Sequence, residues 1–408
     1  EPEPFADAFD HRNFWYDAFG YYGDHGNDYF EPNACSVCGG DSCEFCGAAW
    51  YTNVDFQILK RSRADRTVLT RGALIVNTDP NTGVDVVSFT PGPFFNTDAA
   101  EFDARPGLRL TVGRFLGLDD KNRSHSIEGV YYGLQEWDTK SSKQGELRQQ
   151  FVTTDGNGAV VLIDAGQLVS DFPLNLGGFN RADLHAFRYS SNFNSAELNY
   201  RIRWRYRPNR ITPAKDGRWE KKKDTDWLPS VFVGLRYHHI DEDFAFISRG
   251  VIGVNGVDMP ISGDWTTSTQ NDLIGPQIGG GLSRKTRRWE AGFDGKIGLL
   301  INISKLDGRL VVNDPVFPLD RFGPVTNPDN TFRDSSTALA LAGDVHMKLT
   351  YRLTPNTTMR FGYDLIWVGG LALAPEQFGQ ATVIGPGEID NRGITFYGGP
   401  SFGLETVW

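Results

Sequence analysis

The sequence predicts an all-β fold: a transmembrane, antiparallel, up-and-down β-barrel of about 12 strands, with long extracellular loops and short periplasmic turns. Three observations predict it. Polar and apolar residues alternate with period two over stretches longer than ordinary strands. The links between those stretches are either very short or long. The 408-residue chain also has no run of 18 apolar residues that could cross a bilayer as a helix. In hydrocarbon only a helix or a closed barrel satisfies every backbone N–H and C=O. A wall between lipid and a polar interior must then alternate residue by residue.

The clearest stretch is 195–207, SAELNYRIRWRYR. Ala196, Leu198, Tyr200, Ile202, Trp204 and Tyr206 fall on one face, and Glu197, Asn199, Arg201, Arg203 and Arg205 on the other. Three later segments repeat it. In 288–303, Trp289, Phe293, Ile297 and Leu299 oppose Glu290, Asp294, Lys296 and Asn302. In 337–353, Leu341, Val345, Met347 and Leu349 oppose Asp344, His346, Lys348 and Arg352. In 357–371, Phe361, Tyr363, Leu365 and Trp367 oppose Arg360 and Asp364. Each exceeds the roughly 9–11 residues that cross a bilayer as a tilted strand, whereas strands of soluble sandwiches run to about 5–6.

Short links are read at Lys285-Thr286, Pro355-Asn356 and Ile240-Asp241, and long ones at 61–106, 138–181, 208–228, 251–269, 304–336 and 372–392. Threading on that rule gives strands at 49–60, 107–118, 125–137, 182–191, 195–207, 228–239, 242–250, 270–284, 287–303, 337–353, 357–371 and 393–408, with both termini periplasmic. Residues 49–408 are then the barrel and 1–48 a periplasmic segment. Interfacial aromatics fit this threading. Tyr237, Trp289, Tyr351 and Trp408 fall at periplasmic ends of apolar faces, and Trp204, Tyr206 and Trp367 at extracellular ends. Charges lining the lumen are expected to be Arg201, Arg203, Arg205, Glu290, Asp294, Lys296, Asp344, Lys348, Arg352, Arg360, Asp364 and Glu405.

The segments NDLIGPQIGGGL (271–282), KIGLLIN (296–302), YRLTPNTTMRFGYDLIWVGGLALAPEQ (351–377) and GPSFGLETVW (399–408) resemble the planctomycete family of putative β-barrel porins (family seven). The stretch VGRFLGLDDKNRSHSIEGVYYGL (112–134) fits the same family. The resemblance runs from about Ala49 to the end and implies an outer-membrane barrel in a planctomycete-like envelope. It carries over no catalytic residue.

Residues 1–30 hold ten aromatics and seven acidic residues against the single Arg12. So much aromatic surface is expected to pack on something, and a negative segment is not a membrane anchor. A second copy of the chain is the favoured partner, with a plug inside the barrel as the alternative. Cys35-x-x-Cys38-x4-Cys43-x-x-Cys46 follows. Two CxxC pairs suit Zn²⁺, but zinc ribbons space the pairs by about 15–20 residues and the envelope oxidises thiols. Two disulfides are therefore favoured over zinc, with three connectivities open.

Asp79, Asn81 and Asp85 have the oxygen spacing of a short Ca²⁺ loop, although Pro-Asn-Thr-Gly there also makes an ordinary turn. No other cofactor is expected. A net charge of −10 argues against a nucleic-acid partner, and the partners expected are membrane lipid and outer-leaflet lipopolysaccharide. No GxSxG, HExxH or phosphate-loop motif is present, so no enzyme is expected. His238 and His239 are adjacent and point to opposite faces of a strand. The functions expected are a porin-like diffusion channel or, alternatively, a structural surface protein anchored by its barrel. Twelve strands lie between barrels filled by side chains and those with an open channel, and long loops could fold inward to close the mouth.

Overall fold

The computed structural model describes residues 50–78, 85–90, 95–121, 123–145, 149–154, 160–165, 168–170, 178–204, 210–213, 219–222, 227–254, 257–286, 288–314, 329–354, 356–379 and 388–408. The expectations for residues 1–48, for the four cysteines and for Asp79, Asn81, Arg205 and Tyr206 lie outside these. So does that for the Asp85 side chain, although its backbone begins the strand Asp85–Thr90.

Ten strands form the wall: β1 (Trp50–Arg61), β2 (Arg105–Leu118), β3 (Arg123–Gln144), β4 (Leu184–Trp204), β5 (Trp227–Val254), β6 (Val257–Lys285), β7 (Trp289–Asn313), β8 (Asp329–Arg352), β9 (Thr357–Leu371) and β10 (Gly393–Val407). Every strand pairs antiparallel with its chain neighbours, and β1 pairs with β10, so the sheet closes on itself. Closure leaves no edge facing lipid, as hydrocarbon requires. Trp50 N–H donates to the Trp408 carbonyl at 2.9 Å, and Trp408 N–H returns the bond at 2.9 Å. Both ends of the barrel chain therefore meet at one rim.

The barrel is inside-out relative to a soluble protein. Ile297 is 44% exposed while its neighbour Lys296 is 9% exposed. The same contrast separates Leu198 from Glu197, and Leu235 from Arg236. This apolar outer band ends at a definite height. On β5 it runs through Val231, Val233, Leu235 and Tyr237, then gives way to His239, Asp241 and Asp243. On β7 it ends at Ile303, before Lys305, Asp307 and Arg309. Beyond that border the strands continue with the phase of hydrophobicity inverted, β4 in unbroken register with β5 and shifted against β3 beside Phe193. Phe187, Phe193, Phe244, Phe246, Trp265, Leu306 and Leu310 point inward as an ordinary apolar core.

That inversion corrects the expected count from twelve strands to ten. The predicted pairs 182–191/195–207 and 228–239/242–250 are single strands, β4 and β5. At Asn192-Phe193-Asn194 and at Ile240-Asp241 the alternation slips by one because the outer face passes from lipid to water. A slip of one residue also results from a tight turn, which is how it reads in sequence. Fusing each pair keeps the expected direction of 182–191 and 242–250 and reverses that of 195–207 and 228–239. Trp204 and Trp227, which the link joins, therefore stand at the rim where Trp50 meets Trp408, not on the loop side. The stretch 257–269, expected as loop, continues β6, and β5 and β6 are joined across 255–256.

Trp204 accordingly stands at the terminal rim, where the Arg123 guanidinium lies 5.6 Å from its ring. Tyr237 stands at the far border of the band, its hydroxyl donating to Asp272 at 2.6 Å. Both corrections follow from the fused strands. At the terminal rim Trp289 packs on Tyr351 at 4.7 Å, and Trp50 stacks on Trp408 at 6.2 Å. Trp367 lies on the outer face over Gly343, where an added Cβ would sit 2.1 Å from its ring.

The topology makes a simple prediction. Cysteines introduced at Lys222 and Lys285 should react with an impermeant reagent from the same side of the membrane, and one at Asn330 from the other. Peptide-level mass spectrometry separates these sites from the native cysteines. Labelling of Lys222 together with Asn330 would restore the twelve-strand threading.

Candidate functional site

Because the lipid face and the strand pleat fix which residues point inward, the lumen is the place where chemistry-bearing side chains converge. From the terminal rim inward, the first feature is a polar vestibule of about 200 Å³. In it Glu128 of β3 accepts from Arg201 at 2.9 Å, from Arg203 at 2.8 Å and from the Tyr51 hydroxyl at 2.6 Å. Arg201 also reaches Asp294 of β7 at 3.0 Å. Lys348 of β8 lies 3.4 Å from Asp294 and 3.7 Å from Glu290. Arg360 of β9 bridges Asp55 at 3.1 Å and Glu405 at 2.6 Å.

Deeper, the charges reach across the barrel. Glu197 of β4 takes Lys296 of β7 at 2.6 Å and Arg236 of β5 at 2.8 Å. Asp344 of β8 takes the same two cations at 3.2 and 2.6 Å. Gln277 and Asn199 complete the shell of Glu197 at 3.0 and 3.1 Å. Beside this knot Asp364 holds His346 at 2.7 Å, Arg109 at 3.3 Å and Gln57 at 2.9 Å. Buried ions are tolerated when paired and further hydrogen-bonded; each of these is paired, while Arg236 keeps Nε and Nη1, and Arg109 its Nε, without an acceptor among the described residues.

Above the knot the lumen is sealed by apolar side chains. Phe193 of β4 and Tyr397 of β10 stand four strands apart in the ring, yet they stack at 4.7 Å, and Trp137 lies 5.2 Å from Tyr397. Leu59, Ile240, Leu273 and Leu300 complete the layer, all fully buried. Segment 371–379, which follows β9, folds into the barrel over this layer, and Leu371–Ala374 are fully buried too. Side chains hold its backbone. Asn271 exchanges two bonds with Ala372, at 2.9 and 2.8 Å, and Asn302 donates to the Gly370 carbonyl at 2.8 Å.

A second buried pair, Arg61–Glu242, lies beside the segment. Glu242 also accepts from the Tyr189 hydroxyl at 2.9 Å and from Ala374 N–H at 3.0 Å. The predicted 372–392 loop thus includes an inward-folded piece.

The structure brings Arg201, Arg203, Glu290, Asp294, Lys348, Arg352, Arg360 and Glu405 together around the vestibule, with Lys296 at its floor. Asp344 and Asp364 belong to the deeper layer. Sequence reading missed Glu128, Arg109, Arg236, Glu242 and Arg61 as lumen charges. Glu128, Arg109 and Arg236 lie on the inward phase of strands that it assigned, so strict alternation would have found these three, whereas Glu242 shares its phase with Phe244 and Phe246 past the lipid border, where the polarity pattern is inverted. Arg61 falls one residue past the predicted end of β1. His238 is fully buried, while His239 faces outward between Asp241 and Asp272, each at 2.8 Å. Among the described residues no group of three or more His, Cys, Asp or Glu side chains is arranged to hold a metal ion.

A family model described as Putative beta barrel porin-7 matches residues 72–384. No curated protein matches the chain. Among solved structures, the outer-membrane protease OmpT of Escherichia coli is similar at 14% identity with a TM-score of 0.38, covering 90% of this chain and 100% of that one. The toluene transporter TodX of P. putida is similar at 8% identity with a TM-score of 0.20, covering 89% and 90%. At such scores neither likeness carries an argument about activity.

Proposed function

The chain belongs to the Putative beta barrel porin-7 family, and on that premise we propose that it is a porin-like channel held shut by its own segment 371–379. One observation carries this reading. A polar, charge-lined vestibule leads to an apolar seal, and part of that seal is a segment that, past the end of β9 at Leu371, is hydrogen-bonded to the wall by the side chains of Asn271 and Glu242 instead of by a strand ladder. A permanent filling has no need of a separate inserted segment, because wall side chains alone fill a narrow barrel. In this reading the rim where Trp50 meets Trp408 faces the periplasm, so the vestibule opens to the periplasm and segment 371–379 faces the cell exterior.

The reading is tested by single-channel recording in planar bilayers. The native chain is expected to be closed almost throughout. Asn271→Ala with Asn302→Ala, which frees the bonds to Ala372 and Gly370, should raise the open fraction at least tenfold. A variant that remains a heat-modifiable barrel but stays silent would sink the channel. A second reading then stands, a structural surface protein anchored by its barrel. It is favoured by strands β5–β8, which run well past the lipid band with polar outer faces.

A further inference from the structure

Segment 371–379 carries a carboxyl group where a charge is poorly accommodated. Glu376 opens the single turn Glu376–Gly379 and accepts from Asp65 N–H at 3.2 Å. Gly393 of β10 lies against it, so closely that a Cβ there would sit 2.9 Å from Oε2. The ionisable groups facing it are Asp65 of the 62–67 strap, Glu242 of β5, and Asp390 with Arg392 of the stretch before β10. The Arg61 guanidinium is engaged by Glu242 and that of Arg392 by Asp390, so each nearby cation is matched to one of those acids. Three carboxylates therefore surround a fourth.

We propose that segment 371–379 is latched by a proton on Glu376: the segment stays seated while this carboxyl is neutral and is released as it ionises. Burial first, and then the fields of Asp65, Glu242 and Asp390, push the carboxyl up to about 7, against the Asp65 N–H bond that favours the ion. The ordinary glutamate value is 4.5, so the sign is fixed. Seating is tightest below about pH 4.5, weakens up to about pH 7 and levels off above it. A shift of that size corresponds to at most about 300-fold in the seating equilibrium. Because the side chain is partly in water, roughly tenfold is the expectation.

The latch rests on the reading of this segment as the seal, but its test needs no open pore. Hydrogen exchange read by mass spectrometry on the full chain in lipid bilayers reports the amides of Ala372, Ala374 and Gln377, which donate to Asn271, Glu242 and Leu373. After correction for intrinsic rates, their protection should fall about tenfold between pH 5 and pH 8, while β7 amides stay unchanged. In Glu376→Gln, a near-isosteric change, protection should be high and flat with pH. Protection that does not vary with pH in the native chain would overturn the latch. So would the same pH dependence in Glu376→Gln, which would assign the titration to Glu242 or another acid. Silence of the loosened variant in planar bilayers would remove the channel and leave the latch to be decided by exchange.

Discussion

Replacing Glu197 by leucine is expected to destabilise the barrel by about 3–5 kcal/mol, the usual effect of removing one partner from a buried ion pair. Glu197 is the anion on which Arg236 and Lys296 converge, and Gln277 and Asn199 donate to it as well. Without it, two cations in a low-dielectric interior share only Asp344, Asn199 loses the acceptor of its amide, and Gln277 is left with Asn199 alone. Urea unfolding of the protein refolded into bilayers, followed by the heat-modifiability shift on gels, measures the loss. Adding Lys296→Met to Glu197→Leu should recover part of it, since one cation then again faces one carboxylate. A cost below about 1 kcal/mol would mean that the knot is solvated and the lumen is open at this level.

Ile297→Arg is expected to cost about 2–4 kcal/mol, because a guanidinium placed at mid-height on the lipid face must be solvated by hydrocarbon or by bilayer distortion. Ile297 lies near the middle of the outer band on β7, which runs from Trp289 to Ile303. Lys348→Arg is the control. It keeps the charge beside Asp294 and Glu290 in the water-reached vestibule and should be close to neutral. The same unfolding titration reads both variants. Equal costs would mean that the two faces are exchanged and the apolar band does not meet lipid.

Much of the wall was legible because hydrocarbon imposes a rule on every residue. Where the outer face meets lipid and the inner face meets water, as along 289–303, polarity alone assigns inside and outside, and Lys296, Asp294 and Glu290 were placed from sequence. The rule holds only to the lipid border. At Asn194 and Asp241 the outer surroundings become water and the inner ones become Phe193, Ile240 and Phe244, so the same pleat carries the opposite pattern. The inward phase of β4 and β5 and the register between them do not change, although the β3–β4 ladder shifts beside Phe193, and the inverted polarity reads in sequence as a turn.

The amino-acid sequence by itself determined that this chain is a closed antiparallel barrel and which phase of each long strand faces lipid, because those facts follow from neighbours one and two residues apart. Only the tertiary structure decided the strand number, the rim at which Trp204 and Trp227 stand, and the closure of the lumen. Each of these depends on contacts between residues remote in the chain. Phe193 reaches Tyr397 and Lys296 reaches Glu197 across the ring, and Asn271 grips Ala372 from a strand a hundred residues away. No local pattern encodes such meetings. They are fixed when ten strands close at one diameter, which sets how far each inward side chain must reach before it meets another.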